Sequence, residues 1–260
     1  MEETFYQILA KASLDEIDKR KLEKMFKRLS QEIDLLKTIF NKISLENKRI
    51  LDIGTGQEFA CKFLVENARN SLIVTIDRDP LCLNRVRNIL GDKINNLVFI
   101  KADLSALLFI KNNFFDIALA HYTISTIEKD KLIRVLEEVH RILVPNGWLV
   151  IIEGFGIGKK DHPRELTLEL EEIYREITKE EKELELENLL LILNKFSKFK
   201  LIEVKKLNDG LLDPTIEDFA YYLLKLTNDT ELRNRIKEII KKGRRIGFRE
   251  APDYVIYLQK

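Results

Sequence analysis

Between residues 49 and 68 a short apolar run, Ile50-Leu51-Asp52-Ile53, meets two glycines, Gly54 and Gly56, and passes into a segment where Ala60, Phe63, Leu64 and Ala68 recur at helical spacing. Glycine brings no Cβ and accepts positive φ, so the chain can turn sharply there and its backbone can come close to a ligand. Strand, glycine turn and helix in that order form the opening unit of a nucleotide-binding α/β sheet. The chemistry of the ligand is then set by the residues around the glycines.

The chain beyond this unit keeps alternating. Short apolar runs without polar alternation at 49–53, 71–76, 97–101, 115–120 and 148–153 are separated by helical patterns at 58–67, 80–90 and 129–143. Such runs predict a mostly parallel sheet with helices on both faces. Residues 1–47 hold no Gly or Pro and read as helices that cap the main domain, which spans 48–260. Past Gly154, Gly156 and Gly158 one long acidic helix is expected over 163–196, with ten Glu between Glu165 and Glu187. A sixth strand at 200–207, helices at 215–226 and 231–243, and a final strand at 254–258 complete the pattern. The second of those helices is strongly basic.

Composition narrows the function classes. The 44 basic and 43 acidic side chains nearly cancel, so net charge does not point to nucleic acid or membrane. Cys61 and Cys82 both fall in predicted helices and read as small apolar residues in a reducing compartment rather than a disulfide or metal pair, so no metal is expected. The charged start and the absence of a long apolar run make the cytoplasm the expected location. Abundant Lys, Glu, Ile and Leu suit a heat-adapted protein.

In an open parallel sheet, ligands lie at the carboxyl ends of the strands. The expected strand ends carry Asp52, Gly54 and Gly56, then Asp77, then Asp103, then His121 and Tyr122. An acid about twenty residues past the glycines suits two ribose hydroxyls, and Asp77 fits that role. A dinucleotide site also wants a small residue at the third glycine position, where this chain has Phe59. Asp52 and Glu58 would meet a pyrophosphate with negative charge where bare amides and a positive helix end are needed. Acids in those places suit a ligand with a cationic part.

These residues resemble the class I S-adenosylmethionine-dependent methyltransferases, whose acid-x-Gly-x-Gly motif is matched by Asp52-Ile53-Gly54-Thr55-Gly56. The resemblance continues through Val74-Thr75-Ile76-Asp77, Lys101-Ala102-Asp103-Leu104, residues 115–120, and the Pro145-Asn146-Gly147 turn before Trp148. It covers roughly residues 48–155, with a plausible tail at 200–260, and is closest to the small-molecule type. It implies an α/β fold with a seven-stranded, mostly parallel sheet whose last strand is antiparallel. The segment 208–252 then reads as a helical insertion before that strand, able to roof the site together with the N-terminal helices.

The resemblance implies S-adenosyl-L-methionine as cofactor, with Asp52, Gly54 and Gly56 at its methionine end and Asp77 on the ribose. Asp79 is the alternative ribose partner, and Arg78 flanks that position. Asp103 either bonds the adenine amino group or caps a following helix. Ala102 and Leu104 are offered as adenine contacts, and Ala120 as a further cofactor neighbour. His121 is the candidate general base, with Tyr122 lining the acceptor pocket. Glu153 faces the acceptor, and His140 is structural. His162, Phe5 and Tyr6 are candidate lid and cap residues. Because the sulfonium is already activated, positioning can supply most of the rate enhancement.

The expected partner is a small-molecule acceptor, methylated at O, N or C. An RNA methyltransferase is the alternative, resting on Arg233, Arg235, Lys237, Lys241, Lys242, Arg244, Arg245 and Arg249 and on the basic residues of 19–28. A run of charge is more often a solvated face, or one set against the acidic helix. A scaffold that binds the cofactor without turnover is the third reading.

Overall fold

The computed structural model describes residues 19–56, 59–91, 94–155, 163–179, 184–213 and 215–260. Strands β1 (Arg49–Ile53), β2 (Leu72–Asp77), β3 (Leu97–Lys101), β4 (Phe115–His121), β5 (Leu143–Gly154), β6 (Lys200–Lys206) and β7 (Asp253–Gln259) join in one seven-stranded sheet, ordered β3-β2-β1-β4-β5-β7-β6. The β1–β2, β2–β3, β1–β4 and β4–β5 pairs are parallel, and β7 runs antiparallel to both β5 and β6. Strand order reverses between β1 and β4, and this is where an open α/β sheet splits to admit a ligand.

Helices α1 (Lys19–Phe40), α2 (Phe59–Asn67), α3 (Pro80–Leu90), α4 (Lys129–Ile142), α5 (Pro163–Thr178), α6 (Leu186–Phe196), α7 (Thr215–Leu226) and α8 (Thr230–Ile246) complete the described elements. Strand alternation divides the core into two layers. Ile50, Ile117, Leu119, Val150 and Val255 pack with Leu36, Ile39 and Phe40 of α1 and Phe63 and Leu64 of α2. Leu51, Ile53, Ala118, Ala120 and Ile151 pack on the opposite face with Leu132, Val135 and Val139 of α4 and Leu189 and Leu193 of α6.

A third cluster forms away from the sheet. Leu166, Leu170 and Ile173 of α5 pack with Ile216, Ala220 and Leu223 of α7 and with Ile236, Ile239 and Ile240 of α8. The insertion between β6 and β7 is therefore helical, and it shares a core with the helix after β5. Gly243 of α8 is required by this packing, since an added Cβ would lie 2.0 Å from the Phe248 ring.

The acidic segment departs from expectation. It forms two helices, because α5 ends at Thr178 and Lys179 takes a left-handed φ of 62°. No glycine or proline marks that stop, so the pattern alone does not reveal it. The fifth strand is also longer than 148–153: β5 begins at Leu143, and the ladder with β4 shifts between Phe115 and Ile117 around Asn146, whose φ is 63°. Among the described residues no helix is long and apolar enough to cross a membrane.

Candidate active site

A cavity of about 670 Å³ opens at the carboxyl ends of β1, β2, β4 and β5. The turn after β1 forms one wall. Gly54 and Gly56 have φ of 78° and 49°, in the left-handed region that favours glycine. At Gly54 a Cβ would also fall 2.5 Å from the Thr123 hydroxyl, so any other residue is excluded on two grounds. The Gly56 amide donates to Asp77 Oδ2 at 3.2 Å, and Asp77 Oδ1 accepts from the Asp79 amide at 2.8 Å. The Asp77 carboxylate is thus held at the cavity edge by backbone on both sides.

Gly54, Gly56, Asp77, Arg78, Ala102, Asp103, Leu104, His121 and Tyr122 all line this cavity. Asp103 Oδ1 accepts from both the Ser105 amide (2.8 Å) and its hydroxyl (2.6 Å), and these bonds hold its carboxyl below the usual carboxylate range. The segment after Asp103 is a turn, so Asp103 caps a turn and not a helix. Asp79 is the N-cap of α3, accepting from the Leu81 amide at 2.8 Å, and is not part of the lining. His140 sits edge-on to Phe199 at 5.1 Å, away from the cavity.

Two expected contacts are corrected. Asp52 and Ala120 are fully buried and do not line the cavity. Alternation along β1 turns Asp52 to the same face as Ile50, and Ala120 points into the layer under α4. Asp52 Oδ2 accepts from Thr75 at 2.7 Å, leaving Thr55 as the donor to Thr75 at 2.6 Å. Asp52 Oδ1 has no hydrogen-bond partner among the described residues. Burial pushes the Asp52 carboxyl from 3.8 up to about 7, against the lowering effect of the Thr75 bond, and the nearby Asp77 charge adds to the rise. Asp52 therefore supports the glycine turn from behind.

The far end of the cavity is built from parts distant in sequence. Tyr122 follows β4 with a φ of 50°, uncommon for a non-glycine residue, and its phenol donates to Asp253 Oδ1 at 2.8 Å. Asn208 Nδ2 donates to the other oxygen of Asp253 at 2.6 Å. Burial, then the Asp253, Glu32 and Glu250 carboxylates, push the Tyr122 phenol well above its ordinary value. His121 packs on Tyr122 with ring centroids 4.4 Å apart. Glu153, at the end of β5, accepts from the Ser125 amide and hydroxyl. From above, α1 contributes Glu32, α5 contributes Arg164, Thr167 and Glu171, and α7 contributes Ile216 and Phe219.

Glu32, Thr123, Ser125, Thr167 and Asp253 are not singled out by sequence pattern. Thr123 lies just past a recognised strand end, and Asp253 opens the last strand beside Pro252, so both carry a weak signal. Glu32 and Thr167 carry none, being single polar residues in amphipathic helices. Glu58, His162, Phe5 and Tyr6 lie outside the described residues.

The reversal of strand order at β1 and β4, the acid-backed glycine turn and the antiparallel seventh strand make up the fold of the class I methyltransferases. Residues 51–151 match the family model of the methyltransferase domain, so the chain carries an S-adenosylmethionine-dependent methyltransferase domain. The fold is shared with solved proteins of low identity. One is the protein BH2331 of Bacillus halodurans C-125 (15% identity, TM-score 0.62, 87% of this chain and 98% of that chain covered). Others are SAM-dependent methyltransferases from Aquifex aeolicus (17%, TM-score 0.55, 94% and 99%) and Archaeoglobus fulgidus (16%, TM-score 0.56, 94% and 100%). No curated protein sequence is significantly similar to the chain.

The residues present fit S-adenosylmethionine. Backbone approaches freely at Gly56, where the nearest atom to an added Cβ is 3.8 Å away. The carboxylates of Asp77 and Asp103 suit hydroxyl and amino donors, and they disfavour a phosphate.

Proposed function

We propose that the domain methylates an O, N or C atom of a small molecule held between the strand ends and the helical roof. The observation that carries this reading is the roofing of the cavity: Arg164 and Thr167 of α5 and Ile216 and Phe219 of α7 line it together with the strand ends. At about 670 Å³ the space has the size of a pocket for discrete ligands.

In this reading Gly54 and Gly56 let the backbone approach the methionine part of the cofactor. Asp77 takes the ribose hydroxyls, with Arg78 beside it, and Ala102, Asp103 and Leu104 surround the adenine. When bound, S-adenosylmethionine supplies an activated methyl group. The chain supplies orientation, exclusion of water by α5 and α7, and a proton acceptor at His121. Asp52 and Ala120 act through packing. Two free thiols, Cys61 buried and Cys82 half-buried, support a cytoplasmic setting.

The basic segment lends little support to RNA as acceptor. Arg235 lies 3.9 Å from Glu169 and 3.6 Å from Glu176, and Arg244 pairs with Glu217 at 2.8 Å. Arg233 donates to the Leu224 and Thr227 carbonyls, and Arg249 to that of Gly210. Four of the eight basic residues named between 233 and 249 are thus engaged within the fold.

Calorimetry with S-adenosylmethionine, S-adenosylhomocysteine and NAD tests the cofactor assignment. The first two are expected to bind and NAD is not. Asp77→Asn should weaken S-adenosylhomocysteine by about tenfold or more, the worth of one lost charge-assisted bond. Binding of NAD alone would overturn the reading.

A further inference from the structure

We infer that Asp253 and Asn208 are positioning residues for methyl transfer: they tie the neck of the helical roof to Tyr122 and so fix where His121 stands in the cavity. The inference rests on the methyl-donor site and on His121 as proton acceptor, both proposed above.

Tyr122 is held against its own backbone preference. A φ of 50° is unfavourable for a residue with a Cβ, and such a conformation persists only where the surroundings over-determine it. The Tyr122 amide donates to the Ile152 carbonyl at 2.8 Å, and the phenol donates to Asp253 Oδ1 at 2.8 Å. The ring packs on His121 with centroids 4.4 Å apart and planes tilted by 56°. Of these contacts, the phenol bond is the one that reaches beyond the adjoining strand, to β7.

Asp253 is 2% exposed and opens β7. Its second oxygen, Oδ2, accepts from Asn208 Nδ2 at 2.6 Å. Asn208 Oδ1 accepts in turn from the amides of Asp253 (3.1 Å) and Gly210 (2.8 Å), and the Leu207 amide donates to the Asp253 carbonyl at 2.7 Å. Each carboxylate oxygen and the side-chain amide oxygen has a donor, so the two side chains hold one another in a single orientation.

The pair stands where the roof joins the sheet. Helices α7 and α8 are reached from β6 through residues 207–213 and lead back to β7 through 247–252. These two segments pair as a short antiparallel neck. The Asp213 amide donates to the Phe248 carbonyl, the Glu250 amide donates to that of Leu211, and Leu212 faces Arg249 in a β-bridge. Beyond the neck, α7 and α8 share with α5 a core that includes no strand residue. Both chain connections of α7 and α8 to the sheet thus meet at Asn208 and Asp253, and contacts run unbroken from the neck through Asp253 and Tyr122 to His121.

A proton acceptor must stand within hydrogen-bond reach of the atom it serves, and a displacement of about 1 Å can cost roughly a hundredfold in rate. Residues that set the place of His121 therefore bear on turnover without contacting the reacting atoms.

Nuclear magnetic resonance of the histidine Cε1–H groups in the S-adenosylhomocysteine complex tests this. The chain has three histidines, and substituting each in turn assigns the signals. His140, packed on Phe199 away from the cavity, is the internal control. Tyr122→Phe keeps the ring and deletes the phenol, and it is expected to shift the His121 signal while His140 stays in place. Asn208→Asp sets a carboxylate against Asp253, and Asp253→Asn sets two amides against each other, so each should shift the His121 signal as well. Combining the two restores every hydrogen bond between the pair with one donor reversed, since an amide at 253 can donate to a carboxylate at 208. The double variant is expected to return the His121 signal to its wild-type position. The neck amides of Asp213 and Glu250 should exchange about threefold or more faster in the single variants and recover in the double one. If a single variant fails to fold, Tyr122→Phe and the double variant carry the test. A His121 signal indifferent to all three single substitutions, a double variant that stays displaced, or a shift shared by His140 would overturn the positioning role. Absence of S-adenosylhomocysteine binding to the wild type would instead overturn the methyl-donor site and the inference with it.

Discussion

Ser125 gives both its backbone amide and its hydroxyl to the Glu153 carboxylate, at 3.1 and 2.9 Å. Two donors on one residue match two acceptor oxygens on another, and the pair ties the 3₁₀ turn Ile124–Thr126 to the end of β5. His121, Tyr122 and Thr123 lie just before that turn, so the pair sets the exit of β4. A Glu153→Gln side chain retains one acceptor oxygen and places an amide donor against a Ser125 donor. The variant is expected to lose about 1–3 kcal/mol of stability, the range for a broken buried bond to a charged group. Urea unfolding of the two proteins checks this.

Gly54 is constrained by both its φ and its neighbour. Ala at this position meets Thr123 and also adopts a left-handed backbone, which costs roughly 1–2 kcal/mol by itself. Gly54→Ala is expected to be more destabilising than Gly56→Ala, where an added Cβ meets nothing closer than 3.8 Å. Adding Thr123→Ala removes the hydroxyl and methyl that clash. The double variant should therefore recover part of the Gly54→Ala loss, leaving mainly the backbone strain. A double-mutant cycle on unfolding free energies measures the coupling.

Asp52 is expected to make stability fall as pH rises across the weakly acidic range. Its carboxyl titrates near 3.8 when unfolded and at about 7 when folded, so between these values the folded chain holds a proton that the unfolded chain has released. Stability is highest below the unfolded value, declines through the window, and levels off above the folded one. At roughly 1.4 kcal/mol per pH unit, the full decline is on the order of 4 kcal/mol. Asp52→Asn cannot release that proton and should flatten the profile between about pH 4 and pH 7. An unchanged slope in the variant would show that another group carries it.

His121 lines the cavity where the acceptor and the methyl group are proposed to meet. If it removes the acceptor proton, His121→Ala should lower turnover by about a hundredfold or more, in the range of general-base catalysis. S-adenosylhomocysteine affinity should change far less. Steady-state rates and calorimetry on the same preparations separate the two effects, and equal turnover would remove His121 from the mechanism.

The sheet and the cofactor edge were legible because each rests on short-range chemistry. Apolar runs of five or six residues, separated by helical periodicity, specify a covered parallel sheet whichever partners they find. The glycines at 54 and 56 and the acid at 77 advertise a turn and a ligand edge through backbone constraint and spacing. The same local view misjudged Asp52. Its position before the glycines suggested contact, but pleating points it away from the cavity, and only the assembled ladder shows on which side α2 covers it.

The roofed end was legible only in outline: a helical roof, Tyr122 and Glu153 were expected there, but Glu32, Thr167, Phe219 and Asp253 come from four elements spread over more than two hundred residues, and no spacing rule connects them. The basic face of α8 was expected either in solvent or against the acidic helix, and packing shows the second at Arg235, which pairs with Glu169 and Glu176, while Arg244 pairs with Glu217 of α7. Local pattern by itself determined the sheet, the glycine turn and the class of cofactor. Tertiary packing alone decided which carboxylates converge on the cavity and which of the α8 cations are paired, because burial and charge compensation depend on neighbours far away along the chain.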